Sequence, residues 1–150
     1  AFPTDDGDLS LLHQYLNLQP SHITLFIAWL SYTLAHPKTQ ETNYPILVLQ
    51  GDQGSGKTTI CETVIASLID PNMVGVQSFP SKPNELAISA NNAHILMYDN
   101  IRRLIQSMSD TLCQAATGSA IITRKLYTDD DQHIQLLHAA IDLNGNHSFI

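Results

Sequence analysis

The sequence predicts a three-layer α/β domain built on a parallel core sheet, and two stretches carry that prediction. The first is Ile46-Leu47-Val48-Leu49, an apolar run launched by Pro45 and followed at once by Gly51-Asp52-Gln53-Gly54-Ser55-Gly56-Lys57-Thr58. Beyond it, Ile60, Val64, Ile65 and Leu68 recur at helical spacing. The second stretch is His94-Ile95-Leu96-Met97-Tyr98-Asp99-Asn100, another apolar run, which ends in an acid. Short continuous apolar runs read as strands buried on both faces, the habit of parallel sheets covered by helices. Composition agrees: with 43% hydrophobic and only 14% charged residues there is a core to bury, and 150 residues is the length of one domain.

The glycine-rich segment fits the pattern Gly, four residues, Gly-Lys, then Ser or Thr, set between a strand and a helix as that pattern requires. Gly51, Gly54 and Gly56 let the backbone turn so that its N–H groups converge on phosphates, at a helix N-terminus that favours negative charge. Nucleotide contacts are therefore expected from Gly51, Asp52, Gln53, Gly54, Ser55, Gly56, Lys57, Thr58 and Thr59. Lys57 would reach the β- and γ-phosphates of ATP, and the Thr58 hydroxyl would ligate Mg²⁺. The run ending in Asp99 has the form of a Walker B strand, which delivers a carboxylate to the carboxyl end of the sheet where ligands collect. There Asp99 either shares the Mg²⁺ shell with Thr58 or merely caps the next turn. Many ATPases follow this Asp with a Glu that polarises the attacking water. Here the residue is Asn100, whose amide can orient water but cannot take its proton.

Composition also removes some function classes. The net charge is −7 and there are only seven Lys plus Arg, which disfavours a broad basic face for nucleic acid and leaves room for a narrow contact made by one hairpin. No stretch approaches transmembrane length, and Ala1-Phe2-Pro3-Thr4-Asp5-Asp6 lacks the basic-then-apolar order of a signal peptide. No membrane partner is expected. Cys61 and Cys113 lie far apart, which suits buried free thiols in a reducing cytoplasm. The seven His residues are scattered, so no zinc site is expected.

In chain order, residues 1–8 read as a loose acidic leader. Leu9 to Leu18 suits a short amphipathic helix, and Ile23 to Ala35 a longer one capped by Ser21 and ended by His36-Pro37. Trp29 on it is expected in the core. Residues 1–44 thus form a helical segment packed on a core that occupies 45–150. Strands are expected near 46–50, 74–79, 94–99 and 139–144, with a short helix between the second and third, opened by Asn84 or Pro83 and running through Ala90. Ile101 to Ser107 is expected as a helix carrying Arg102 and Arg103, a pair that senses phosphate, meets a neighbouring subunit or simply faces solvent. Ser109-Asp110 would cap a further helix, Thr111 to Ala116, stopped by Gly118. Ala120 to Thr123 and Leu126 to Thr128, joined through Arg124-Lys125 and followed by the acidic turn Asp129-Asp130-Asp131, read as a hairpin or two short strands. Asn144, closing the last strand, is expected to touch the γ-phosphate or its attacking water.

With these pieces in order the sequence resembles a known group. Gly-Asp-Gln-Gly-Ser-Gly-Lys-Thr, Met-Tyr-Asp-Asn, Ser-Asp-x-Leu-Cys-x-x-Ala-Thr-Gly, Thr-Arg-Lys-Leu-Tyr-Thr-Asp and Leu-Asn-Gly resemble the ATPase module of phage and mobile-element primase-helicases. These are similar to superfamily 3 helicases, a branch of the AAA+ P-loop NTPases. The resemblance covers roughly residues 9–146 and implies a sheet order 2-3-1-4 and a hexamer-like homo-oligomeric ring. It further implies a hairpin presenting Arg124 and Lys125 to DNA, with Asn144 at the sensor-1 position. Gly118-Ser119 replaces the usual Gly-Gly, and Ala139-Ala140 stands where an arginine often precedes the last strand. The arginine finger and a fifth strand are expected beyond Ile150, so the chain reads as a module of a longer protein, truncated after the sensor-1 strand. The function so implied is ATP hydrolysis coupled to DNA unwinding or replication initiation, with Lys57, Asp99, Asn100 and Asn144 as the catalytic set. Two rivals stand beside it. A nucleotide-dependent switch or assembly ATPase fits the acidic charge and Asn100. A small-molecule kinase shares the phosphate loop but lacks an Arg-rich lid.

Overall fold

The structure, a computed structural model, describes residues 7–39, 41–71, 74–124 and 132–146. The N-terminal segment forms a 3-10 turn, Leu9–Leu11, and a single helical turn α1, Leu12–Tyr15, rather than one helix to Leu18. Helix α2, Pro20–Ala35, begins earlier than expected. Proline at a first helical position needs no amide partner and brings its φ preset, so Pro20 starts the helix and Ser21 falls inside it instead of capping it. Trp29 is buried as expected, and its Nε1–H donates to the Pro45 carbonyl at 2.8 Å, tying α2 to the run-in of the first strand.

That strand, β1 (Leu47–Gln50), leads into the glycine loop and a continuous helical stretch made of α3 (Lys57–Thr59), a π-helical segment (Ile60–Ile65) and α4 (Ala66–Ile69). β2 (Val76–Ser78), α5 (Pro83–Asn92), β3 (Ile95–Asp99) and α6 (Gln106–Thr117) follow. β4 (Ser119–Arg124) and β5 (Gln132–Leu137) pair as an antiparallel hairpin, and β6 (Ala140–Gly145) returns to the main sheet.

β1, β2, β3 and β6 make a four-stranded parallel sheet in the order β1-β6-β3-β2. In core-strand numbers this is 2-3-4-1, which overturns the expected 2-3-1-4: the fourth strand lies between the first and the third. Leu47–Gln50 stand opposite Asp142–Gly145 on one side of β6, and Ile95–Tyr98 stand opposite Ala140–Leu143 on the other. Burial gives the physical reason. Every residue of β6 is buried, as a strand flanked on both edges and covered on both faces must be. In β1 only Leu49 is buried, with Leu47 and Val48 half-buried and Gln50 exposed, which suits an edge.

Alternation along β3 divides the core into two layers. Ile95 and Met97 pack with Phe26, Trp29 and Leu30 of α2 and with Cys61, Val64 and Ile65 of the π segment. Leu96 and Tyr98 pack on the other face with Leu86 and Ala87 of α5 and Met108, Leu112 and Ala115 of α6. The molecule is thus mixed α/β with helices on both faces of its parallel sheet.

A second correction concerns residues 101–105, which are not helical. Asn100 takes a left-handed φ of 59°, and the Ile101 amide then donates to the Asn144 carbonyl at 2.9 Å. The backbone stays non-helical up to Ile105, which is extended at φ −82° and ψ 150°, and the helix starts at Gln106. Ser109 and Asp110 consequently lie inside α6 rather than capping it. Gly118, at φ 80°, ends α6 as expected.

Candidate functional site

The glycine loop leaves the carboxyl end of β1 and closes on the first turn of α3. Gly54 (φ 81°) and Gly56 (φ 90°) adopt backbone conformations that L side chains rarely reach, and Gly56 is the residue that turns the loop into the helix. At Gly51 the constraint is space, since a Cβ there would meet Ser55 Oγ at 3.0 Å. The Lys57 ammonium folds back over the loop, donating to the Gly51 carbonyl (2.8 Å), the Asp52 carbonyl (2.9 Å) and Ser55 Oγ (3.3 Å).

Opposite the loop, β3 delivers Asp99. The Thr58 hydroxyl donates to Asp99 Oδ2 at 2.6 Å, and the backbone N–H of Asn100 donates to Asp99 Oδ1 at 2.6 Å. Two hard oxygen donors in contact, one hydroxyl and one carboxylate, are the chemistry that a divalent cation such as Mg²⁺ takes. The ammonium of Lys57 rests on neutral carbonyls, which a phosphate oxygen could replace with a stronger, charge-assisted partner. The residues present therefore fit a phosphate-bound Mg²⁺.

Gln53, Gly54, Gly56, Lys57, Thr58, Thr59, Asp99 and Asn100 line one cavity of about 420 Å³, together with Asn146. Of the expected contact set, Gly51, Asp52 and Ser55 stand behind this lining, engaged with Lys57. Asn146 and Asn17 went unnoticed in the sequence. Asn17 donates through Nδ2 to the Ser55 carbonyl at 3.3 Å, so the N-terminal segment braces the loop. Asn146 lies in the bend just past the end of β6.

Asn144 itself does not reach the cavity. It is fully buried, and its Nδ2 donates to Cys61 Sγ at 2.9 Å. The Cys61 thiol in turn donates to Asp142 Oδ2 at 3.0 Å. Asp142 Oδ1 and Asn144 Oδ1 have no hydrogen-bond partner among the described residues. Burial pushes the Asp142 carboxyl up to about 7, and the nearby Asp99 charge adds to that, against the lowering effect of the Cys61 hydrogen bond. Burial, with the Asp142 charge behind it, also pushes the Cys61 thiol up. A buried polar chain thus runs beneath the loop helix.

The hairpin places Arg124 at the end of β4, with its backbone opposite Gln132. Lys125 and the acidic turn 129–131 lie outside the described residues. Arg102 and Arg103 are exposed on the segment after Asn100. Among the described residues no group of His, Cys, Asp and Glu is placed to hold a metal by itself, and no helix is long and apolar enough to cross a membrane.

Residues 9–147 match the family model of the actinomycete integrative conjugative element replication protein. Among solved structures, the apo A form of the NrS-1 C-terminal region superposes over 97% of this chain with a TM-score of 0.63 at 14% identity. The chain spans 34% of that neighbour's length. No curated protein matches the chain.

Proposed function

The chain belongs to the actinomycete integrative conjugative element replication protein family, and from that premise we propose that it is the ATP-binding and ATP-hydrolysing module of a primase-helicase-type DNA replication protein. In this reading the α/β fold is a P-loop NTPase of the AAA+ type. The observation that carries it is the Thr58–Asp99 contact at 2.6 Å across the mouth of the glycine loop. That contact brings a phosphate-loop hydroxyl and a strand-end carboxylate, 41 residues apart in sequence, to one point.

Lys57 exchanges its loop carbonyls for β- and γ-phosphate oxygens, and the loop amides from Gly51 to Thr59 cradle the rest. Thr58 and Asp99 hold Mg²⁺, which when bound neutralises charge developing on the phosphates. Asn100 orients water through its amide but takes no proton, so turnover by this module is slow unless a base comes from another part of the protein or a neighbouring subunit. Arg124, at the end of β4, and Lys125, the next residue in sequence, contact DNA in a ring of identical subunits. A second reading, a nucleotide-dependent switch or assembly ATPase, is favoured by the net charge of −7 and by Asn100 in place of an acid.

The test is steady-state ATP turnover of the full-length replication protein with and without single-stranded DNA. Stimulation by DNA that disappears in the Arg124→Ala, Lys125→Ala double variant is the expected result. Turnover indifferent to DNA would replace the helicase reading with the switch.

A further inference from the structure

Two cavities meet at the carboxyl end of the sheet. The one lined by the glycine loop shares Asn100 and Asn146 with a second, of about 350 Å³, whose remaining walls are Ile101 and Arg102. The chain reaches this second cavity by a fixed route. The left-handed turn at Asn100 reverses the backbone, and Ile101 is then pinned, with its side chain buried and its amide bonded to the Asn144 carbonyl at 2.9 Å. Arg102 is the first residue beyond the pin, and it lines the cavity. Arg103, equally exposed, lines neither cavity.

The lining chemistry is one-sided. The second cavity has a guanidinium and two amides and no carboxylate among its described lining residues, in a protein whose net charge is −7. The guanidinium has no hydrogen-bond or ion-pair partner among the described residues. An unpaired guanidinium fork beside neutral amide donors is matched to phosphoryl oxygens, which accept two parallel N–H bonds.

We propose that Arg102 reads the terminal phosphoryl group of the nucleoside triphosphate from within the same chain, with Asn100 and Asn146 flanking it, so that the site distinguishes triphosphate from diphosphate. This rests on the reading of the glycine loop as a nucleotide site. Of the two arginines singled out in the sequence, the structure assigns the phosphate to Arg102 and leaves Arg103 to solvent.

The experiment is equilibrium binding of a non-hydrolysable triphosphate analogue and of the corresponding diphosphate, each with Mg²⁺. It is made on wild type and on Arg102→Ala, Arg102→Lys, Arg103→Ala and Lys57→Ala. Arg102→Ala is expected to weaken the triphosphate analogue about tenfold or more, the scale of one lost charge-assisted bidentate contact, and the diphosphate by less than about twofold. Arg102→Lys should fall between, because an ammonium cannot reproduce the fork. Arg103→Ala should leave both affinities at wild-type values, and Lys57→Ala should weaken both. Equal losses for the two nucleotides in Arg102→Ala, or no loss for the triphosphate, would overturn the role of Arg102 while leaving the nucleotide site standing. A wild type that binds neither nucleotide would overturn both.

Discussion

Asp142 shows how a single residue can give the fold a pH dependence that its motifs do not announce. Its carboxyl is fully buried, and burial carries it from the ordinary 3.8 to about 7. The unfolded chain therefore gives up the proton at lower pH than the folded one. Between roughly pH 4 and 7 the native state binds the extra proton, so stability falls as pH rises, by at most about 1.4 kcal/mol per pH unit. Above about 7 the penalty is complete. Asp142→Asn keeps the shape and removes the titration. Urea unfolding at pH 5 and pH 7.5 should show wild type losing stability relative to the variant at the higher pH, and parallel behaviour would refute the buried-acid account. The same residues mark the limit of what is legible locally. The meeting of Thr58 with Asp99 was legible because a glycine loop leaving one apolar strand and an acid ending another both fall at the carboxyl end of a parallel sheet. Asn144, expected at the phosphates, is fully buried and lines no part of the glycine-loop cavity. Period-two alternation puts Asp142 and Asn144 on one face of β6, yet nothing in the sequence says how far the loop helix covers that face.

Elements were legible where periodicity or punctuation was strong and misread where tertiary bonds decided. The strands and α5 follow their apolar runs and Pro83, and Gly118 ends α6 as its position suggested. Residues 101–105 depart from the expected helix because Asn100 turns left-handed and Ile105 is extended, while the Ile101 amide ties the segment to β6, a contact between residues 43 positions apart that no local pattern encodes. Gly118 gives an element-scale test. A Cβ there would sit 3.5 Å from the His138 ring, an ordinary contact, so the difficulty lies in the backbone, held at φ 80° where α6 turns into β4. Gly118→Ala should cost about 1–3 kcal/mol of unfolding free energy, read from the denaturation midpoint at unchanged slope. A loss under about 0.5 kcal/mol would mean that the turn relaxes into another conformation.

At the scale of the whole molecule, the fold class could be read from the sequence and the strand order could not. Two apolar runs sufficed to imply a parallel sheet with helices on both faces. The order 2-3-4-1 depends on which strand can bear burial on all sides, and β6 hid that capacity by carrying Asp142 and Asn144 among its apolar residues. The burial of β6 has its counterpart in Cys61, which lies against it with no exposed surface, whereas Cys113, the second cysteine of the chain, is exposed on α6. The protein therefore carries its own stopwatch. A thiol reagent added to the native state should modify Cys113 within its mixing-limited or intrinsic reaction time and then wait. Cys61 can react only when the loop helix lifts from β6, so its delay records how often the central layers part. A bound nucleotide that clamps the loop should lengthen that delay, and simultaneous labelling of both cysteines would mean that this interface breathes freely.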